Sequence, residues 1–370
     1  MKVLQVINSL HTGGAEKLIL DSVPLYQKKG IEMDVLTLKK DKTSFWTSLK
    51  SHTSGQLNGL TTGSVYNPFL IIKVIPYLKK YDLLHAHLFP TLYWVVIARW
   101  ISGASIPIIY TEHSTNNKRR KHFLLKRIDQ WIYMKIDKIV SISEVVDQKI
   151  KKHLPTIKSA NFDLIFNGID LGNFKNVNKI NNTVKNDQII LIQVSSFRTQ
   201  KDQPTLIKAM PLLPSYVRLI LVGDGPLKIE CEKLVSALNV KNRVEFLGLQ
   251  MNIPEIIKQT DIVILSSFYE GFGLAIVEGM AAMKPCIASD VPGLREIVNG
   301  YGLLFERGNS QQLAVIILNL IEDSFYYNKV AKQCYIRAQE FDIDKMVNRY
   351  INLYNNCLQS ANNFQKINPM

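Results

Sequence analysis

Two glutamates late in the sequence, Glu270 and Glu278, lie on either side of a short glycine-containing loop in the segment EGFGLAIVE. Carboxylates accept hydrogen bonds from hydroxyl groups, including those of sugars, but they are poor ligands for phosphate. A site that combined these carboxylates with phosphate-binding amides would suit a nucleotide sugar. The alternative is that both glutamates are solvated acids at the start of a helix, where the helix dipole stabilises negative charge.

The loop between the two glutamates has the features of an anion site. It follows the apolar run Ile262 to Leu265, which is typical of a buried parallel strand, and a helical pattern begins at Leu274. Gly271 and Gly273 flank Phe272, and glycines let a backbone come close to a ligand. Because the first amides of a helix lack intrahelical partners, this order of strand, loop and helix favours a bound anion.

A second glycine loop lies near the start of the chain, in NSLHTGGAE. Gly14 and Glu16 stand there between a predicted strand and a predicted helix. The segment lacks the full G-x-G-x-x-G pattern, so it does not support binding of NAD. A plain tight turn is the alternative interpretation of this loop.

Three histidines follow or end predicted strands: His85 and His87 in LLHAHLFP, and His113 in IIYTEHS. We expect His113 to be the best placed for a ligand, because a polar loop follows it. A neutral imidazole there could hydrogen-bond a sugar hydroxyl or help to stabilise developing charge. We expect His87 to lie further out than His85, for which a hydrogen bond to the backbone is the alternative. Metal binding is not expected, because no carboxylate cluster accompanies these histidines.

Basic residues and a glycine turn complete the candidate site. Arg198 and Lys201 follow the predicted strand Ile189 to Val194 and could offset the charge of a diphosphate. A pair of solvated surface charges is the alternative, since charged side chains are mostly exposed. Gly225, in LVGDGP, follows the next predicted strand and could bring backbone atoms to the same site.

Composition limits the choice of partner and compartment. The chain has 370 residues, 46% of them hydrophobic, and a formal net charge of +14, which implies an anionic partner. No nucleic-acid-binding motif is recognised, so nucleic acid is not expected to be that partner. The scattered cysteines predict a reducing cytoplasm rather than a disulfide framework. The first residues, MKVLQVINSL, become polar too early for a signal peptide and predict a strand.

The segment from Lys118 to Lys138 combines many basic residues with an apolar stripe at helical spacing that includes Ile128 and Ile132. Either this stripe packs into the core beneath a solvated basic face, or the segment attaches to an anionic membrane surface. The longer apolar run from Leu92 to Tyr110 contains charged and helix-breaking residues, so it does not predict a membrane span.

Strand-like and helical patterns alternate along the chain, which predicts an α/β fold with two doubly wound parallel sheets. The first domain is expected at residues 1–170, completed by an apolar C-terminal helix at 341–358, and the second at 171–340. Ligands of such sheets bind beyond the carboxyl ends of the strands. The polar stretch Thr43 to Thr62 predicts irregular structure, and the last strand of the first domain is expected at Leu164 to Phe166.

Short motifs along almost the whole chain resemble those of the family 4 glycosyltransferases. GGAE, HAH, TEH, NGID, QKD, GDGP, EGFGLAIVE and PGLREIV occur in the order of that family. The resemblance implies the GT-B architecture, in which two Rossmann-like domains face each other across a cleft. It also implies a retaining transfer of a hexose-type sugar from a nucleotide diphosphate sugar to a glycan or lipid-linked glycan. No cofactor and no metal would be required, and the reaction would serve the synthesis of bacterial surface polysaccharide.

The resemblance further implies roles for the residues singled out above. Lys201 matches the family's lysine, whereas Ser196 occupies the position of the family's arginine and Arg198 lies two residues further on. The catalytic candidates are Glu270, His113 and Lys201. The donor-binding candidates are Gly14, Arg198, Lys201, Gly225, Gly271, Phe272, Gly273, Leu274 and Glu278. The candidates for the acceptor side are His87 and Glu16.

Two other classes of protein remain open on the sequence alone. A nucleotide-sugar epimerase can share this architecture and would convert the donor without an acceptor. A periplasmic sugar-binding protein would also have paired α/β domains, but it would need an export signal, which is not predicted here. The expected location is the cytoplasm, at the inner face of the cell membrane if residues 118–138 bind lipid.

Overall fold

The computed structural model describes residues 1–115, 122–175 and 188–367. The chain forms two compact units: unit 1 comprises Met1–Gly168 and Ile343–Met370, and unit 2 comprises Ile169–Asp342. Each unit is built around a parallel sheet with helices, which confirms the predicted α/β, Rossmann-like fold class.

The sheet of unit 1 has seven parallel strands among the described residues. These strands are β1 (Lys2–Ile7), β2 (Glu32–Lys39), β3 (Leu57–Thr61), β4 (Leu83–His87), β5 (Ile108–Glu112), β6 (Lys138–Ser141) and β7 (Phe162–Leu164). They lie in the order β3-β2-β1-β4-β5-β6-β7. The chain therefore moves outward from β1 to β3 and returns to the other side of β1 at β4.

Helices connect these strands, as parallel pairing requires. They are α1 (Gly14–Lys28), α2 (Ser44–His52), α3 (Leu70–Val74), α4 (Thr91–Ser102), α5 (Phe123–Tyr133) and α6 (Glu144–His153). Both faces of the sheet are covered: Val3 and Ile7 of β1 belong to one apolar cluster, and Leu4 and Val6 belong to another. Burial on both faces explains why the strands are continuous apolar runs in the sequence.

The stretch from Thr43 to Thr62 contains α2 and β3, so the prediction of irregular structure was wrong. The side chain of Thr43 caps α2 by accepting a hydrogen bond from the Trp46 amide at 3.1 Å. The helix buries only Phe45, Trp46 and Leu49, and β3 is an edge strand that is half-buried throughout. Elements this short and this exposed lack the periodicity that reveals longer ones.

The last strand of the sheet lies two residues earlier than expected, at β7 rather than at Leu164 to Phe166. Phe162 packs against the apolar cluster on one face of the sheet and pairs with Ile139 of β6. Ile165, which is buried, and Phe166 follow β7 and therefore lie outside the strand.

Unit 2 repeats the arrangement with six parallel strands among its described residues, in the spatial order β10-β9-β8-β11-β12-β13. The strands are β8 (Ile189–Val194), β9 (Val217–Val222), β10 (Val244–Gly248), β11 (Ile262–Leu265), β12 (Cys286–Ser289) and β13 (Leu303–Phe305). Its helices are α7 (Gln203–Ala209), α8 (Lys228–Ala237), α9 (Ile253–Lys258), α10 (Leu274–Ala281), α11 (Arg295–Val298), α12 (Ser310–Glu322) and α13 (Ser324–Ala338). Single-turn 3-10 helices occur in both units, among them Ile75–Tyr77, Ser159–Asn161, Leu171–Phe174, Thr199–Lys201, Met210–Leu212, Lys241–Arg243 and Gln339–Phe341.

The last helix, α14 (Ile343–Ile367), returns to unit 1 and is longer than the helix expected at 341–358. Val347, Tyr350, Leu353 and Tyr354 of α14 are buried in the same apolar cluster as residues of α1. Helix α14 is thus part of the core of unit 1. None of the helices formed by the described residues combines the length and the apolarity needed to cross a bilayer.

Leu353→Ala should lower the free energy of unfolding of unit 1 by about 2–4 kcal/mol, because it removes a buried side chain from the core. All four tryptophans of the chain lie in unit 1, so tryptophan fluorescence during urea unfolding reports on that unit. Asn355→Ala, at an exposed position of the same helix, is the control and should leave the unfolding midpoint nearly unchanged. Equal midpoints for both variants would contradict the assignment of α14 to this core.

Candidate active site

The strand order of unit 2 reverses between β8 and β11, which lie side by side in the sheet. The chain leaves β8 toward β9 on one side and leaves β11 toward β12 on the other. Ligands of doubly wound sheets bind at such a reversal, because the loops that follow the two strands separate there. These loops are residues 195–202 and 266–273, and they carry several of the residues singled out from the sequence.

Lys201 and Glu270 meet where these two loops come together. Lys201 Nζ lies 2.5 Å from Glu270 Oε2, and the two side chains are only 19% and 14% exposed. The hydroxyl of Ser267 donates to the same carboxylate oxygen at 3.3 Å, and the Gly271 amide donates to Glu270 Oε1 at 3.2 Å. The carboxylate is therefore held from three directions. Sequence reasoning assigned the two residues separate roles and did not predict this ion pair.

A buried glutamine holds the same two loops in place. Gln193, on β8, is 1% exposed and donates from Nε2 to the Lys201 carbonyl at 2.9 Å. Its Oε1 accepts the hydroxyl proton of Ser266 at 2.8 Å, and the Phe268 amide donates to the Gln200 carbonyl at 2.8 Å. Sequence reasoning missed Gln193. Its signal was a polar residue inside the otherwise apolar strand ILIQV.

The start of α10 leaves backbone amides open beside this ion pair. The amides of Phe272, Gly273 and Leu274 donate to no other group in the described part of the chain. Gly273 has φ +89°, a backbone conformation that is strained for residues with a side chain, and a Cβ there would lie 2.6 Å from Leu294 Cδ2. Phe272 itself is buried and packs edge-on against Phe341. Open amides at a helix N-terminus, with a lysine beside them, attract an anion.

The remaining candidates of unit 2 lie around these loops. Gly225 has φ +156°, and a Cβ there would come 2.5 Å from the carbonyl oxygen of Phe197, so the GDGP turn packs directly on the loop after β8. Arg198 is exposed on that loop, and within the described residues its side chain has no hydrogen-bond or ion-pair partner. Glu278 is half-buried in the second turn of α10.

Unit 1 has the same kind of strand-order reversal, between β1 and β4. Asn8, just after β1, donates from Nδ2 to the Phe89 carbonyl at 2.7 Å and accepts from the Thr91 hydroxyl at 2.7 Å. Gly14 is the exposed first residue of α1, and Glu16 lies half-buried in its first turn. The predicted glycine loop is therefore at a position where doubly wound sheets bind ligands.

The three histidines lie together on β4 and just after β5. His87 is 3% exposed, and its Nδ1 lies 3.0 Å from Nε2 of His113. His85 is 1% exposed and contacts the hydroxyls of Tyr354 and Thr111, each at 2.7 Å. The structure therefore satisfies His85 with side chains rather than with the backbone.

Burial keeps these imidazoles neutral. It lowers the pKa of His85 to about 3 and that of His113 to about 4, and it lowers the pKa of His87 well below its usual range. Neutral imidazoles can both donate and accept hydrogen bonds. In the part of the chain that the structure describes, no three His, Cys, Asp or Glu side chains are grouped so as to hold a metal ion.

Comparison with family models assigns both units. The model described as "Glycosyltransferase Family 4" matches residues 12–173, and the model described as "Glycosyl transferases group 1" matches residues 174–341. An uncharacterized glycosyltransferase of Methanocaldococcus jannaschii is 30% identical over 302 residues, which are 80% of this chain and 81% of that protein. This chain belongs to the family 4 glycosyltransferases.

Other relatives and a solved structure agree with this assignment. N-acetyl-alpha-D-glucosaminyl L-malate synthase of Bacillus anthracis is 28% identical over 302 residues, 77% of each chain. N-acetylgalactosamine-N,N'-diacetylbacillosaminyl-diphospho-undecaprenol 4-alpha-N-acetylgalactosaminyltransferase of Campylobacter jejuni is 25% identical over 359 residues, 91% of this chain and 94% of that one. The crystal structure of Anabaena HepE in complex with UDP and glucose superposes with a TM-score of 0.83 and 25% identity, covering 96% of this chain and 100% of that one. The protein is therefore a glycosyltransferase enzyme with the GT-B fold.

The basic segment of this glycosyltransferase is only partly described, because residues 118–121 lie outside the described residues. In α5, Ile132 is fully buried, whereas Ile128 is 45% exposed and Phe123 is 67% exposed. The predicted apolar stripe thus divides, with one part in the core and another on the surface. Arg127 lies over the ring of Phe123 at 4.7 Å.

The free energy of unfolding of unit 1 should fall as pH decreases below about 6.5. In that range His85 and His113 bind protons in the unfolded chain but stay neutral in the folded one, because burial lowers their pKa values. Above that pH the histidines are neutral in both states, and their contribution is complete. The variant His85→Gln lacks one of the histidines that take up a proton on unfolding. Between pH 6 and 4.5, its free energy of unfolding should therefore fall less steeply with decreasing pH than that of wild type, by up to about 1.4 kcal/mol per pH unit.

Tryptophan fluorescence in urea at several pH values measures this slope. His52→Gln, an exposed histidine of the same unit, is the matched control and should reproduce the wild-type slope. The interpretation would be contradicted if His85→Gln also kept the wild-type slope.

Proposed function

We propose that this glycosyltransferase moves a hexose-type sugar from a nucleotide diphosphate sugar to a glycan or lipid-linked glycan, with retention of configuration, in bacterial surface polysaccharide synthesis. One observation carries the proposal: the Lys201–Glu270 ion pair has its carboxylate on the same loop as the open amides of Phe272 to Leu274, and Glu270 precedes the first of them by two residues. This places a cation, amide donors and a carboxylate at the strand-order reversal of unit 2. These are the groups that a sugar diphosphate requires.

Each part of the donor then has a matching group in unit 2. The amides of Phe272 to Leu274 and the ammonium of Lys201 bind the diphosphate, with Arg198 and the Gly225 turn at the border of the site. Glu270 accepts hydrogen bonds from sugar hydroxyls, and Glu278 accepts them from the ribose hydroxyls. The complex of HepE with UDP and glucose supports a uridine diphosphate sugar as the first donor to test.

The chemistry is a front-face displacement. The bond between the sugar C1 and the diphosphate oxygen breaks, a bond from C1 to the acceptor oxygen forms, and the departing phosphate oxygen takes the acceptor's proton. Lys201 and the open amides stabilise the negative charge that gathers on the departing diphosphate. No metal is needed to offset that charge in this scheme. The α linkage in the name of the Campylobacter relative supports retention, because common hexose donors are themselves α-linked.

Unit 1 supplies the groups that contact the transferred sugar and the acceptor. His113, neutral at physiological pH, hydrogen-bonds a hydroxyl, and Gly14 lets the backbone approach the donor. Glu16 and His87 serve the acceptor side, His87 through its contact with His113. The diphospho-undecaprenol group in the name of the Campylobacter relative supports a lipid-linked acceptor, whereas the malate in the name of the Bacillus relative makes a small acceptor the competing case.

Two substitutions should separate the ribose and phosphate parts of the site. Glu278→Ala should weaken the binding of both UMP and UDP by roughly tenfold to a hundredfold, because each ligand loses charged hydrogen bonds to its ribose. Lys201→Met should weaken the binding of UDP by a similar factor and that of UMP much less, because Lys201 is assigned to the outer phosphate. Isothermal titration calorimetry measures both affinities, and Glu322→Ala, an exposed glutamate of the same unit, is the control.

Transfer itself is followed as radiolabel moving from UDP-hexoses into a butanol-extractable, undecaprenyl-diphosphate-linked acceptor. Both variants should lower this transfer at least about a hundredfold while keeping wild-type circular dichroism. Wild-type nucleotide binding and turnover in Glu278→Ala would remove the ribose assignment. Conversion of the nucleotide sugar in the absence of an acceptor would instead support the alternative function, that of a nucleotide-sugar epimerase.

Membrane attachment of unit 1 belongs to the same proposal. Trp100 and Ile101 of α4 and Phe123 and Ile128 of α5 are exposed apolar residues on two helices that contact each other, and α5 is part of the basic segment. Apolar side chains beside basic ones bind anionic lipid surfaces. A lipid-linked acceptor would then be met at the membrane.

Co-sedimentation with vesicles of phosphatidylcholine, with and without phosphatidylglycerol, tests this attachment. Binding should require the anionic lipid, decrease with salt, and fall severalfold in the double variant Phe123→Ser, Ile128→Ser. Ile229→Ser, a 64% exposed isoleucine of unit 2, is the matched control and should bind like wild type. Binding that is indifferent to anionic lipid, or absent, would contradict the attachment.

A further inference from the structure

The sheet of unit 1 carries polar side chains at positions where apolar ones would be expected. Gln5 of β1, His85 and His87 of β4 and Thr111 of β5 are each at most 3% exposed. The strands are neighbours in the order β1-β4-β5, with Gln5 opposite His85 and His87 opposite Thr111. They occupy the odd-numbered positions that face α14. Buried polar groups are costly unless they are hydrogen-bonded, so their partners are informative.

One end of this polar cluster reaches His113 at the carboxyl edge of the sheet. His113 Nε2 lies 3.0 Å from His87 Nδ1, and His87 Nε2 lies 2.6 Å from Oε1 of Gln5. The other nitrogen of His113, Nδ1, has no hydrogen-bond partner among the residues that the structure describes. Gln5 and His87 are buried, whereas His113 is only partly buried.

The other end of the cluster reaches two tyrosines of α14. Gln5 Nε2 donates to the Tyr354 hydroxyl at 3.3 Å, and the same hydroxyl lies 2.7 Å from His85 Nδ1. His85 Nε2 lies 2.7 Å from the Thr111 hydroxyl, which lies 2.9 Å from the hydroxyl of Tyr350. The buried polar groups at this end of the cluster therefore all have hydrogen-bond partners.

The direction of the hydrogen bonds that lead from Gln5 to His113 follows from Gln5, because an amide has separate donor and acceptor atoms. Its carbonyl oxygen faces His87, so Nε2 of His87 carries the proton. A neutral imidazole has one proton, so Nδ1 of His87 is an acceptor and must receive the Nε2 proton of His113. By the same reasoning, Nδ1 of His113 carries a lone pair. The lowered pKa values of these buried histidines agree with neutral rings.

We propose that Gln5 is a positioning residue that, through His87, holds His113 in the tautomer protonated at Nε2. The Nδ1 atom of His113, which has no partner in the described part of the chain, can then accept a hydrogen bond but cannot donate one. It selects a hydroxyl group of the sugar or the acceptor and disfavours groups that only accept, such as phosphate and carboxylate oxygens. This inference rests on the proposed function only in giving His113 a substrate to contact. The tautomer itself is a property of the free enzyme.

The tautomers of the free enzyme are read from the side-chain nitrogen shifts of 15N-histidine-labelled protein, assigned with single histidine variants. In wild type, His87 and His113 should each be protonated at Nε2 and unprotonated at Nδ1. Gln5→Met, which keeps the shape but removes both hydrogen bonds, should give mixed tautomers at both histidines. Thr37→Val, at a fully buried threonine of the same sheet, is the control and should leave the wild-type pattern intact.

Activity links the tautomer to the reaction. Gln5→Met should lower kcat roughly threefold to tenfold, the effect of one neutral hydrogen bond, and change KM for the nucleotide sugar less than twofold. A proton on Nδ1 of His113 in wild type, or a single Nε2 tautomer that persists in Gln5→Met, would overturn the inference whatever the activity. If the tautomers are as inferred but His113→Ala keeps full turnover, the inference stands and the role of His113 in the proposed function is wrong.

Discussion

The ion pair between Lys201 and Glu270 joins the two loops that follow β8 and β11, and the anion site of unit 2 depends on it. These strands are neighbours, but the chain leaves them in opposite directions, so the loops need contacts of their own to stay together. Gln193 of β8 contacts both loops, through the Lys201 carbonyl and the Ser266 hydroxyl, and the Lys201–Glu270 ion pair adds a charged contact between them.

The charges of this site are balanced before a ligand arrives. Lys201 is paired with Glu270, so under the proposed function a diphosphate at the open amides would compete for Lys201 and release Glu270 to accept hydroxyl groups. The proposed function therefore couples binding of the phosphate to binding of the sugar hydroxyls through one lysine. Because both side chains are largely buried, this coupling acts in a medium where charge interactions are stronger than in water.

Unit 1 uses neutral groups where unit 2 uses charged ones. The reversal between β1 and β4 is held by Asn8, and the polar series behind it runs through buried histidines to tyrosines of α14. Helix α14 comes from the far end of the chain, so one of the two hydrogen bonds of His85 is to a residue 269 positions away. This polar contact adds to the apolar packing that makes α14 part of the core of unit 1.

Much of this could be predicted from the sequence, because buried parallel strands and glycine loops leave local signals. The run Ile262 to Leu265 is a strand, and Gly273 has the backbone angle that only glycine adopts readily. The helix Ser44–His52 was missed, because its buried face is too short to show periodicity.

Contacts between distant segments left no such local signal. Gln5 and Gln193 each interrupt an apolar strand, but what they bond is decided by chain segments far away in sequence. The Lys201–Glu270 pair is likewise a contact across 69 positions that no local pattern encodes. Propensity and periodicity report on neighbours, whereas the chemistry of these sites depends on tertiary pairing.

Hydrogen–deuterium exchange of the whole enzyme, with saturating UDP, GDP or ADP, tests the central claim most directly. A nucleoside diphosphate that binds at the strand-order reversal must use the amides of Phe272, Gly273 and Leu274, which have no partner within the described chain. We expect that the nucleotide which raises the melting temperature also slows exchange at these amides. Stabilisation by a nucleotide with unchanged exchange there would contradict it.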